Sequence, residues 1–453
     1  MPDALSGLLH DATAVYRFVD FICAFCDRKE SQQTYGEASE DFFDYVIELG
    51  ESTRRFLQSI VDEAKSDPKR IPIYRTNLAT IKKCWAELHV FVKPAADGHS
   101  LQTPTAFLAF MEQQLSELPS LAGARIVILI SPELNYLQYQ HSKLKGFASE
   151  LSRTIPKSPT FPAKLGFIAI PFSQGGTVFT NTLIYHELGH FVFEELNKRR
   201  TLNAAITSAL TRTLRNAYTS LGYDEKAWCR SQLAIWAEET FCDLFALWVS
   251  GPAYSFASME LLSLLGMLGT KGAKDFDSEH PPFAFRFSEH YDQLKKHKWW
   301  AAIESMSADH PKLIKEMGAV DPKEYRYEFQ ELVPAFLELR DAIRDLVKTT
   351  VGNRDPGFEA FKEWKSNVHE HLLHGIVPST SHGKGKQPLA AALINSAFCF
   401  YLDSLAELVK KVKDLDPSIV EHRSDIARRV EMWTLKALED CHLLSRHSQS
   451  QAS

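Results

Sequence analysis

The chain has 453 residues, 45% of them hydrophobic and 24% charged, with a formal net charge of -6. That length allows two or three domains with a large core, and the small charge, with Lys and Arg dispersed rather than gathered in a stripe, excludes nucleic acid as an expected partner. Asp3, Asp11, Arg17 and Asp20 interrupt the apolar stretches of the N-terminus, and the apolar stretches 126–130 and 390–402 fall short of the roughly 20 residues that span a bilayer, so neither a secretory signal nor a membrane partner is expected.

In chain order, the first hundred residues read as helices, with Phe42, Phe43, Val46, Ile47 and Leu49 at helical spacing. Lys93 to Pro104 is the first expected boundary. Two β-like runs follow, Arg125 to Ile130 and Leu165 to Ile170, flanking a helical segment from about Pro132 to Thr154. A turn at Ser173 to Gly176 leads into a helix from Thr177 to Leu196. From Leu202 to Leu268 the pattern is helical, broken at Gly222 to Asp224 and at Gly251-Pro252. The remainder is mainly helical, with breaks at 271–282, 352–356 and 375–388, and the Ser/Gln-rich tail after His442 is expected to fray.

Seven cysteines, at 23, 26, 84, 229, 242, 399 and 441, are few, odd in number and set in helix-like apolar patterns. They predict buried thiols in a reducing, cytoplasmic compartment rather than a disulfide framework. Cys23 and Cys26 form a lone CxxC, read as one packed helix face.

The chemistry lies in His186-Glu187-Leu188-Gly189-His190, an HExxH pattern. Histidines four apart share a helix face, so both imidazoles can reach one metal ion and Glu187 its water. Leu183, Ile184, Leu188, Phe191 and Val192 surround the pattern with uncharged groups. Gly189 costs about 1 kcal/mol relative to Ala inside a helix, which predicts close approach of another backbone or of a ligand. For a third ligand, the acidic patch from Trp236 to Asp243 offers Glu239 and Asp243 on one helical face. Glu239 is expected to bind the metal and Asp243 to hold a ligand histidine by its outer nitrogen; Glu238 is the alternative ligand. His369-Glu370-His371-Leu372-Leu373-His374 has the wrong spacing for HExxH and reads as a solvated helix end.

These residues resemble the gluzincins, metallopeptidases with HExxH and a downstream ExxxD helix, at His186, Glu187, His190, Glu239 and Asp243. His280-Pro281-Pro282 with Arg286 is similar to the HPPxxxR element of the CaaX-prenyl-protease branch, although that branch typically has transmembrane helices and a small residue where Glu279 stands. The resemblance covers about Arg125 to Leu294. It implies a zincin-like core, taken as 101–300, with a small sheet and the HExxH helix; with the helical patterns read on either side, at 1–100 and 301–453, the expected fold is α+β, mainly α-helical.

It implies one catalytic Zn2+, Glu187 as general base, and an oxyanion donor among His280, Tyr254 and Arg286, the last more as an ion-pair partner. Leu165 to Ile170 is expected to be an edge strand that pairs with extended substrate. The expected activity is soluble zinc-dependent endoproteolysis of a protein or peptide substrate, with flanking helices that recruit it or, with a regulatory partner, hold the cleft closed. The alternative is a catalytically silent zinc-binding interaction protein. Glu187 separates the two, because a structural site needs ligands but no base.

Overall fold

The helical spacing of the first hundred residues forms α1 (Pro2–Glu30), α2 (Glu37–Ser66) and α3 (Ile71–Gly98) in the computed structural model. The structure describes residues 2–30, 37–98, 110–111, 114–116, 118–131, 136–139, 141–171, 177–264, 280–306, 309–318, 332–352, 357–378, 390–415 and 423–452. The chain divides into two compact units, one of 1–108 with 122–175, the other of 109–121 with 176–453. The strands, which the sequence groups with the motif helix, share their unit with α1 to α3.

In the first unit, α3 runs into the expected boundary at 93–104, through Pro94, and ends inside it at Gly98. A proline inside a helix removes one hydrogen bond, and the burial of Val92, Ala95 and Ala96 on either side holds this turn in place. Then follow β1 (Arg125–Ser131), β2 (Leu137–Tyr139), α4 (His141–Thr154) and β3 (Leu165–Pro171). β2 lies inside the segment expected to be wholly helical. The sheet order is β1-β3-β2. β3 pairs in parallel with β1, Arg125 opposite Leu165 through Ser131 opposite Pro171, and antiparallel with β2, Leu137 opposite Ala169.

The expectation of β3 as a substrate-binding edge is therefore wrong: both of its edges are already bonded. Its seven positions are all buried, and Phe167 meets Phe42 and Phe91 edge-on at 5.1 and 5.7 Å. All seven cysteines are buried thiols, none in a disulfide. Cys23 donates its S–H to the Val46 carbonyl, and burial pushes its thiol up to about 11, as a packed helix face requires.

The second unit, which takes in a 3-10 turn at Pro119–Leu121, continues with another 3-10 turn (Thr180–Leu183) leading into α5 (Ile184–Glu195), then α6 (Lys198–Ser220), α7 (Tyr223–Ser250) and α8 (Pro252–Leu264). After these come α9 (Phe283–Lys296), α10 (Trp299–Met306), α11 (Asp309–Gly318), α12 (Val333–Val351) and α13 (Phe358–Leu373). The last are α14 (Ala390–Asp403), α15 (Leu405–Leu415) and α16 (Arg423–Ala452), which continues as helix where a frayed tail was expected.

α7 is the axis of this unit, buried on nearly every face of its C-terminal half and packed against α5, α6, α9 and α12. The break after it is set by Gly251, whose φ of 63° suits glycine. Asn395 of α14 bolts that break: its Nδ2 donates to the Ser250 carbonyl at 2.8 Å, and its Oδ1 accepts from the Ala253 N–H at 3.0 Å. No single described helix is long and apolar enough to cross a membrane; α14 with Leu405–Asp414 of α15 passes only as a pair bent by 66°. Within the unit, residues 391–400 of α14 are buried.

At the end of α13 His374 is exposed, as a solvated helix end requires, but the two histidines before it are not. His371 is buried, His369 Nε2 contacts the Ser396 carbonyl at 3.0 Å, and His371 Nδ1 contacts the Asn367 carbonyl at 2.7 Å. α13 packs against α14 along its length, which takes water away from this face.

Candidate metal centre

The site starts from the crossing of α5 and α7. A Cβ on Gly189 would lie 2.8 Å from Cys242 Cα, closer than real Cβ atoms come to backbone, so only glycine lets the helices approach this far. The close approach that the sequence predicts is thus the backbone of α7. One turn before Cys242, and one residue after it, α7 carries Glu239 and Asp243, and the tight crossing brings both carboxylates to the histidines of α5.

Both Nε2 atoms face Glu239. His186 Nε2 is 3.3 Å from Glu239 Oε2, and His190 Nε2 is 3.3 Å from Oε1. Both Nδ1 atoms face other carboxylates: His186 Nδ1 lies 2.9 Å from Asp243 Oδ1, and His190 Nδ1 lies 3.1 Å from Glu238 Oε1. A carboxylate on Nδ1 holds the proton there and leaves the Nε2 lone pair as donor. The two rings are thereby aimed at one point beside Glu239, and the donor atoms of His186, His190 and Glu239 all lie within 4.8 Å of one another.

Two features test whether these donors fit a metal ion. Charge-assisted N–H···O bonds are usually about 2.7–2.9 Å long, so 3.3 Å is long for direct bonding. Ligands about 2.0–2.1 Å from one zinc ion stand about 3.3–3.4 Å apart, the separation that each Nε2 shows from its own nearer oxygen of Glu239. In addition, Glu239 Oε2 is a buried oxygen without a hydrogen-bond partner, a costly condition that a cation would relieve. The cluster fits a divalent ion with N/O preference.

The surrounding charge has the matching sign. Burial pulls the His186 imidazole down, but Asp243 and Glu239 outweigh it and raise the ring's hold on positive charge. For His190 burial acts the same way, and Cys242 and Glu239 overcome it by more. Burial would push the Asp243 carboxyl up; Arg286, by charge and hydrogen bonds, holds it well below the usual carboxylate range.

Asp243 is the hub behind His186. Arg286 binds it through Nε and Nη2, each at 2.7 Å, a bidentate pairing that fixes orientation as well as charge. The Tyr254 hydroxyl donates to Asp243 and lies 3.1 Å from His186 Nδ1. Tyr254 therefore stands behind the ring, on the opposite edge from Nε2. Arg286 comes from α9, which α12 anchors in turn: Arg344 donates to Glu289 at 2.9 Å and to Asp292 at 2.8 Å. His280, just before α9, places Nε2 3.7 Å from Glu239 Oε2. Glu187 is buried between the two histidines, and among the described residues no hydrogen bond or ion pair engages its carboxylate.

Sequence reasoning missed two parts of this arrangement. Glu238 is not an alternative ligand but the partner of His190 Nδ1, and Arg199 of α6 donates to its other oxygen at 2.7 Å. The signal was the Glu238-Glu239 pair itself, since adjacent helical residues diverge by about 100° and can serve the back and the front of one ring. The second part is His290, whose Nε2 is 3.6 Å from Asp243 Oδ2 and whose Nδ1 is 3.1 Å from Ser255 Oγ. This Ser-His-Asp chain resembles a nucleophilic triad in its residue types, yet Ser255 and Asp243 are 0% exposed and His290 1%. No substrate reaches it, and at 3.6 Å His290 Nε2 makes no hydrogen bond to Asp243, so the chain is incomplete as well as buried.

No known protein family, curated protein or solved structure matches this chain.

Proposed function

We propose that the protein is a zinc-dependent metalloendopeptidase of gluzincin type, with His186, His190 and Glu239 as zinc ligands and Glu187 as general base. The observation that carries this reading is the opposed use of the ring nitrogens, both Nδ1 atoms held by carboxylates and both Nε2 atoms turned to Glu239. When bound, zinc supplies Lewis-acid polarisation of the scissile carbonyl and lowers the pKa of water beside it.

Glu187 accepts the proton of the attacking water and delivers it to the departing amine. Its freedom from other partners suits that task, and its buried position raises the strength of any hydrogen bond it makes. Asp243, Arg286 and Tyr254 keep His186 in the Nδ1–H tautomer; Glu238 and Arg199 do the same for His190. His280 is the residue best placed to donate to a developing oxyanion, because it sits on the Nε2 side of the cluster while Tyr254 and Arg286 are committed to Asp243. The substrate class, a peptide bond within a protein, rests on the order of HExxH, ExxxD and HPPxxxR along the chain.

The test pairs metal analysis with cleavage of protein and peptide libraries. Wild type is expected to hold about one zinc per chain, and Glu187→Gln to keep the metal and the fold while losing at least about 100-fold in cleavage rate. Equal cleavage by the two proteins overturns the mechanism. Zinc without cleavage by the wild type under any condition moves the site to a structural role in an interaction protein.

A further inference from the structure

α9 carries two sets of charges on successive turns. Arg286 faces α7 and grips Asp243 through Nε and Nη2; one turn later, Glu289 faces α12. Glu289 is 1% exposed, and a glutamate this deep is held only by partners. Arg344 closes on its Oε2 with Nε and Nη2, each at 2.9 Å, and Arg340 Nε meets its Oε1. The same two arginines reach Asp292, a further turn along, at 2.7 and 2.8 Å. α9 and α12 do not pack along their length; these side chains and the rings of Phe285 and Phe336, 5.7 Å apart, join them. A buried ion cluster adds little stability over apolar side chains of the same volume, which leaves placement as its effect. Apolar packing of α9 on α7 and α11 fixes its distance but is non-directional, whereas charge-assisted hydrogen bonds fix direction. Rotation of α9 about its axis is the coordinate they set, and Arg286 swings with it. Its Nη2 is 2.7 Å from Asp243 Oδ1 and 3.9 Å from Glu239 Oε2, and Asp243 in turn lies 2.9 Å from His186 Nδ1.

We infer that Glu289, clamped by Arg340 and Arg344, is a positioning residue of the metal cluster. It sets the rotation of α9, keeps Arg286 in its two-bond grip on Asp243, and through Asp243 keeps the His186 ring aimed at Glu239. The inference rests on reading His186, His190 and Glu239 as metal ligands. No hydrogen bond or ion pair among the described residues joins Glu289, Arg340 or Arg344 to those three, so the route to the metal runs through Arg286.

The test is the zinc affinity of the full chain, read by competition with a chromogenic chelator, beside thermal unfolding of the same proteins without metal. Glu289→Met with Arg340→Met and Arg344→Leu replaces the cluster by apolar groups and strands no buried charge. Tm is expected to hold or rise, while zinc affinity falls about tenfold, the low end for losing support behind a ligand. In an Arg286→Lys background, which keeps the charge but cannot grip both oxygens, the triple replacement should cost about twofold at most. Should the triple variant not fold, Arg344→Gln, whose side chain is 22% exposed, gives the same reading with a fall of about threefold. The inference is overturned if the folded triple variant, or failing it Arg344→Gln, binds zinc as tightly as wild type. It is equally overturned if the triple replacement costs as much affinity beside Arg286→Lys as it does beside Arg286. A wild type that binds no zinc overturns the metal reading and this inference with it, whereas unchanged affinity in the variants overturns this inference alone.

Discussion

Two helices of the second unit, α5 and α13, carry closely spaced histidines, and their surroundings give them opposite chemistry. On α5 the rings of His186 and His190 meet α7, where Asp243 and Glu238 take the Nδ1 edges and leave the Nε2 edges converging on Glu239. On α13 the rings of His371 and His374 turn back to carbonyls of their own preceding turn, at Asn367 and Glu370, and His369 reaches the Ser396 carbonyl. Histidine spacing selects which rings can meet, and the facing helix selects whether they become donors. α14, which faces α13, is almost wholly apolar along its buried stretch, and its carboxylate, Asp403, acts on His369 only by charge, after burial and Lys365 have pulled that ring down.

The sharpest way to break this contrast is to remove one histidine from each helix. His190→Ala is expected to abolish stoichiometric metal binding, because two donors and water hold zinc far more weakly than three in a prepared site. His371→Ala is expected to leave one metal per chain, whatever it does to stability through the small cavity it opens. Metal content after dialysis against a weak chelator reads both. Retention by His190→Ala, or loss in a folded His371→Ala protein, would dissolve the distinction.

A smaller effect tests the crossing that creates it. Gly189→Ala places a methyl 2.8 Å from Cys242 Cα, and the helices must part. Overpacking of this kind costs about 1–3 kcal/mol, which denaturant titration resolves. The blocking atom is backbone, so adding Cys242→Ala should not restore the loss. Parting the helices also carries Glu239 away from both Nε2 atoms, so metal affinity should fall along with stability. A Gly189→Ala protein with wild-type stability and affinity would show that the crossing does not set the ligand geometry.

The difference between the two helices was partly legible in the sequence. Spacing alone brings His186 to His190 and Glu239 to Asp243, because i and i+4 share a helical face, and the glycine inside HExxH announces a close neighbour. The partner of His190 was not legible, since whether Glu238 or Glu239 faces a ring depends on how α7 is rotated against α5. The strand signals at 125–131 and 165–171 were plain from their β-branched runs. Their order was not, because the three-residue β2 that makes β3 central has no alternation of its own to read. The burial of His371 escaped for a related reason: histidines near a helix end all look as solvated as His374 is until the apolar face of α14, some 27 positions away for His369 and Ser396, is laid against them.

The smallest effect lies at the start of the motif helix. α13 begins at Gly357 without a side-chain cap, whereas the segment leading into α5 is held from α16, where a Glu431 oxygen accepts the Val178 N–H at 2.7 Å. N–H groups at a helix start lack internal partners and favour a carboxylate. Here, however, burial, with the charge of Glu260 adding to it, pushes Glu431 up to about 7, against the pull of the Val178 and Phe179 N–H groups. A carboxyl whose folded pKa is raised stabilises fully below its unfolded value, and that contribution is lost as pH rises through the folded one.

The window therefore runs from about pH 4.5 to about pH 7, flat above it. Glu431→Gln keeps an acceptor for Val178 and removes the ionisation, so the variant should gain about 1–3 kcal/mol on the wild type between pH 5 and pH 8. Urea midpoints at the two pH values measure it, and Glu260→Gln should reproduce part of the gain by removing the repelling charge. If Glu431→Gln and wild type lose the same stability across that interval, Glu431 is ionised at both pH values and the start of α5 is clamped by a full carboxylate rather than by a carboxyl that titrates near neutrality.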